Sequence, residues 1–173
     1  VWSYSYIDSY YIQILFLLMS SCFLVITFTD YNHFLIPIQL NALMFVSCLI
    51  VSMVYSDYID IKYHFISMYI LLVYFLGLML IMNLLLKKDT MGYGDIILIS
   101  IIGLWFGLLG GLIVIFIAAI LSIAHWVFLK ISNKKNDVVM LPFGSTLSLS
   151  AIFVYMAKIT FPALQIDTKL FLF

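Results

Sequence analysis

Residues 96–129 run for 34 positions without a formal charge, the longest such stretch in the chain. A helix that crosses a membrane needs only about 20 apolar residues, because the hydrocarbon layer is about 30 Å thick. Built as one helix at about 1.5 Å per residue, this stretch would reach roughly 51 Å. It must therefore divide. The natural break is the cluster at Gly107, Gly110 and Gly111, since glycine is the commonest interrupter of a helical pattern. Two helices are expected, a short one over about 96–106 and a longer one over about 109–129. The short one cannot cross the full hydrocarbon layer. Either it tilts into a thinned bilayer, or its start lies below the membrane surface.

Four other runs carry no formal charge and are long enough to span: 9–29, 36–55, 65–86 and 138–157. The first lacks a basic leading region and is too long for a signal peptide core. The expected fold class is thus all-α, a polytopic membrane protein with about six transmembrane helices, the fourth of them short. One transmembrane domain is expected over 1–173, with no internal repeat and no soluble domain. Composition agrees: 9% of residues are charged, where soluble domains carry about 25%. Net charge is zero and no basic tract occurs, so no nucleic-acid partner is expected. Cys22 and Cys48 both lie in apolar runs and form no CxxC pair, which suits small core residues. His33, His64 and His125 are too scattered along the chain to suggest a metal site, and no cofactor is implied.

Orientation follows from the lysines. All eight cations are Lys and all eight anions are Asp. Lys87, Lys88, Lys130, Lys134 and Lys135 fall on connections at one face, whereas Lys62, Lys158 and Lys169 fall at the other, where Asp57 and Asp60 offset Lys62. The first set is assigned to the cytoplasm.

Asp30 ends the first apolar run and Asp95 precedes the 34-residue stretch. Two complete crossings, 36–55 and 65–86, lie between them. Two crossings return the chain to its starting face, so both acids are expected on the cytoplasmic face at similar depth. Two carboxyls that approach closely at a low-dielectric boundary share one proton. The ionised member can deprotonate water, and the protonated member can polarise a peptide carbonyl. Gly92 and Gly94, just before Asp95, would let an extended peptide approach. An Asp at a helix N-terminus also serves as a cap. It is the pairing of two acids in matching positions that favours chemistry. No HExxH or nucleophile-elbow serine competes.

The segment MGYGD at 91–95 resembles the GxGD motif of the type IV prepilin peptidases, which are membrane aspartic proteases. Three further segments match in order: DYNHFLIP at 30–37, with its acid seven residues before the Pro; GLWFG at 103–107; and LPFG at 141–144. The resemblance implies that Asp30 and Asp95 are the catalytic pair of a transmembrane aspartic peptidase domain. Gly92, Gly94, Pro142, Phe143 and Gly144 would shape the substrate cleft. The substrate would be a prepilin or pseudopilin of a type IV pilus, competence or secretion system, cleaved on the cytoplasmic side of the cell membrane just before its hydrophobic helix. This chain departs from the family at Ile97, where a basic residue is common. Longer members add a cytoplasmic domain with zinc-binding cysteines, associated with N-methylation. Its absence implies neither methyltransferase activity nor zinc here. The opening Val in place of Met suits a truncated reading frame or a fragment.

Two other functions compete. A small transporter or proton-relay protein could use the same acids, but would be expected to carry ionisable groups at mid-membrane and repeat symmetry between its halves. A non-catalytic partner in pilus assembly would carry the fold without the chemistry.

Overall fold

The computed structural model describes residues 9–54, 61–88, 91–132 and 142–160, and every regular element among them is helical. Five helices follow in order: α1 (Ser9–His33), α2 (Ile38–Val54), α3 (Ile61–Leu86), α4 (Tyr93–Ser132) and α5 (Phe143–Thr160). Within lipid a helix satisfies its own backbone groups, which is why uncharged runs of this length adopt it. The ends carry their own signals. Phe34 takes a left-handed backbone (φ 54) and donates its N–H to Asp30 O at 2.9 Å, closing α1. Pro37 opens α2, its carbonyl accepting from Leu40 N–H at 3.1 Å and Asn41 N–H at 3.4 Å. Lys87 (φ 50) closes α3.

Five helical elements stand where six helices were expected, because α4 holds two of the expected ones, 96–106 and 109–129, in one element. The break nevertheless falls inside the expected glycine cluster. Gly107 sits at φ 72 and ψ −179, well outside helical values. The chain reverses there. A Cβ on Gly111 would lie 3.5 Å from Gly103 Cα, whereas residues eight apart in a straight helix are separated by about 12 Å. The α4 helix is therefore a hairpin of two legs, 93–106 and 108–132, pressed together glycine against glycine.

The α3 helix packs along α4, α5 lies between α4 and α1, and α2 touches α1 and α4. Narrow stripes build the core: Met19, Phe23 and Ile26 on α1; Leu98, Ile99 and Ile102 on the first leg of α4; Val114 and Ala118 on the second; and Leu147 and Ala151 on α5. Outside these stripes the helices remain apolar. Leu84, Leu85, Phe28 and Ile131 are all strongly exposed, and only 17% of the most apolar part of α3 is buried by protein. Both α3 and α4 are long and apolar enough to cross a membrane. A water-soluble protein rarely leaves such continuous apolar surface open, so lipid is the solvent for these faces.

Boundaries shifted where capping decided them. The α1 helix runs on to His33, past the expected end at Thr29, and so carries Asp30 within its last turn. The α5 helix begins at Phe143, directly after Pro142, a place where Pro is favoured because it lacks a donor that the helix would leave unpaired. Residues 138–141, Asp57, Asp60, Lys134, Lys135 and Lys169 lie outside the described residues.

Candidate active site

Asp30 extends the buried stripe of α1. It lies four residues beyond Ile26 and is 5% exposed, whereas Tyr31, Asn32 and His33 are open. Its Oδ2 accepts the Ser145 N–H at 2.6 Å, and the Gly144 N–H is also turned to this carboxyl. These donors belong to the first turn of α5, where backbone N–H groups have no partner within the helix. An acid from α1 thus caps α5 from 115 residues away. Ser145 Oγ donates to Pro142 O at 2.7 Å and steadies the turn.

Asp95 stands in the first turn of α4, half-buried, three residues before Leu98 on the inward face. Its N–H donates to Gly92 O at 3.1 Å. Its carboxyl lies against Gly92, whose N–H is directed to it.

The two carboxyls meet across Gly144. A Cβ there would stand 3.0 Å from Asp95 Oδ1 and 3.1 Å from Asp30 Oδ2. Only a glycine leaves that space free, and the charge of Asp30 bears directly on Asp95. Carboxyls so close cannot easily both be ionised, and their titrations are coupled. Asp30 receives two backbone donors and Asp95 one, an asymmetry that favours the charged form at Asp30 over Asp95.

The remaining expected site residues surround this point. Pro142 and Gly144 are buried, Phe143 and Gly94 are half-buried, and Gly92 is exposed. The space beside Gly94 is occupied by this chain's own Ile36: a Cβ on Gly94 would meet Ile36 Cβ at 3.0 Å. The same Ile36 reaches Gly144, where an added Cβ would lie 2.6 Å from Ile36 Cδ1. One isoleucine therefore fills two glycine notches beside both acids. In the sequence Ile36 is visible only as a member of the segment DYNHFLIP. Asn41, one turn into α2, is buried, and its Nδ2 donates to Gly94 O at 3.5 Å. Ile97 is half-buried and packs against the core.

The second leg of α4 closes the other side. Ser122 and Thr146 hydroxyls pair at 2.7 Å, and the His125 ring meets Tyr31 edge-on. Lys87, Lys88 and His33 are exposed. Cys22 and Cys48 are buried free thiols in the helix cores, away from this end.

The family model for type IV leader peptidases matches residues 17–127, a span that holds Asp30, Ile36, Gly92, Gly94 and Asp95. No curated protein and no solved structure gives a match. With most of the chain matched, and Asp30 and Asp95 of the matched segment meeting at one glycine, this membrane protein belongs to the type IV leader peptidase family.

Proposed function

We propose that the chain is an aspartic endopeptidase that removes the leader of a prepilin or pseudopilin at the cytoplasmic face of the cell membrane. The observation that carries this reading is the meeting of Asp30 and Asp95 across Gly144. Asp30, charged and held by the first turn of α5, takes a proton from a water molecule. The water oxygen bonds to the scissile carbonyl carbon while Asp95 donates its proton to the carbonyl oxygen. Collapse of the tetrahedral intermediate breaks the C–N bond, and the proton taken by Asp30 passes to the leaving amine. Water is consumed, and both carboxyls return to their starting states once Asp95 has recovered its proton from the intermediate. Gly92, Gly94, Pro142, Phe143 and Gly144 would border the bound peptide. Ile36 is added to that border, because it sets the spacing of two of these glycines. The cytoplasmic assignment rests on Lys87 and Lys88 directly after α3 and Lys130 in the last turn of α4, and on the lysine rule for topology.

The test uses the purified protein in lipid nanodiscs with a synthetic peptide that joins a basic leader to an apolar helix. Wild type should cut once, at the junction. Asp30→Asn and Asp95→Asn should each abolish cleavage while keeping a wild-type melting transition. Cleavage retained by either variant refutes the shared pair. A wild type that never cuts, but carries protons across the membrane in an Asp-dependent manner, favours the proton-relay alternative.

A further inference from the structure

At the end of the helices opposite the acids, α4 reverses at Gly107. In an unbroken helix the Leu108 N–H would donate to Leu104 O, four residues back. The reversal severs that bond and leaves both groups among apolar neighbours. Two consecutive residues at the start of α3 restore the pairing. The Leu108 N–H donates to the Tyr63 hydroxyl at 3.2 Å. His64 Nδ1 lies 2.8 Å from Leu104 O, and since a carbonyl can only accept, Nδ1 carries the proton. The Tyr63 ring also fills the space that Gly107 leaves empty: a Cβ there would meet Tyr63 Cε1 at 2.7 Å. The face of α3 that carries Tyr63 continues to Ser67 and Leu71, and both touch Gly103. Leu71 Cδ1 reaches Gly111 on the second leg as well.

We propose that Tyr63 and His64 are positioning residues for Asp95, acting as a clasp that gives new partners to two of the backbone groups freed at the hairpin. The leg from Gly107 to Asp95 is twelve residues, about 18 Å of helix. A hinge at its base that opened by about 5° would move the carboxyl by about 1.5 Å, and displacements near 1 Å cost on the order of 10²-fold in rate. The clasp acts on where Asp95 stands. It holds whether or not the acid pair proves proteolytic, and it deepens the peptidase reading if that reading is right.

Hydrogen exchange read by mass spectrometry on the intact protein in nanodiscs tests it. Tyr63→Phe, which removes a single oxygen, and His64→Leu should each raise exchange over 104–108 on the order of tenfold. The Asp95 turn, whose amides at 95 and 96 bond to Gly92 O, should follow, with α1 and α5 unchanged. His64→Gln keeps a side-chain N–H and should return exchange toward wild type. Where the peptide is cleaved, kcat should fall in the first two variants with KM unchanged, and recover in His64→Gln. Wild-type exchange at 93–108 in Tyr63→Phe overturns the proposal. So does an increase spread evenly over all helices, or a His64→Gln protein no better than His64→Leu.

Discussion

Gly144→Ala tests the packing of the acid pair most directly. The new methyl carbon would stand 2.6 Å from Ile36 Cδ1, 3.0 Å from Asp95 Oδ1 and 3.1 Å from Asp30 Oδ2. Non-bonded carbons settle at about 3.5–4.0 Å, so all three neighbours must yield. The Ile36 methyl ends a flexible side chain and can turn aside. The Asp30 carboxyl cannot retreat freely, because Ser145 N–H holds it at 2.6 Å. The displacement therefore falls on the gap between the carboxyls, at about half an ångström. With about 1 Å costing on the order of 10²-fold, kcat should drop by roughly 10- to 100-fold. Stability should change far less. Overpacking costs about 1–3 kcal/mol, and alanine returns up to about 1 kcal/mol of helix propensity over glycine, leaving a net loss of about 0–3 kcal/mol. Initial rates over a series of peptide concentrations separate kcat from KM, and thermal unfolding followed by circular dichroism reports the fold. Wild-type kcat in a folded Gly144→Ala protein would falsify the argument that the carboxyls need this glycine between them. Complete unfolding would contradict the size of the packing estimate.

Three other outcomes are expected. Gly107→Ala should lower stability by at least about 2 kcal/mol on thermal unfolding, because φ 72 with ψ −179 is a conformation almost confined to glycine and the added methyl would also strike Tyr63; a melting curve unchanged from wild type would dismiss the hairpin. The pH profile of kcat should be bell-shaped, since below the pair's first ionisation neither acid can serve as base and above its second neither can donate; a profile with one limb would mean that a single acid acts alone. Cys22 and Cys48, both buried, should resist a maleimide reagent in the folded protein and react after denaturation, and prompt labelling of either thiol in the native state would contradict the helix packing.

Much of the architecture was legible in the residues alone. Uncharged runs of about 20 residues have no option in lipid other than to satisfy their own backbone, so the helices at 9–33, 38–54 and 61–86 follow nearly from composition. The length of the 96–129 stretch required a break, and the glycine cluster located it. Two intervening crossings sufficed to bring Asp30 and Asp95 to one end. What remained hidden was how each helix is rotated about its axis. A soluble helix declares its inward face by a polar stripe on the other side, but these helices are apolar all round, and their sequences do not say which side meets protein and which meets lipid. Ile36 between two glycines, the Ser145 N–H on Asp30 and the Tyr63–His64 clasp on the broken α4 all depend on that rotation. Each joins residues tens of positions apart, so each could be decided only when the helices packed.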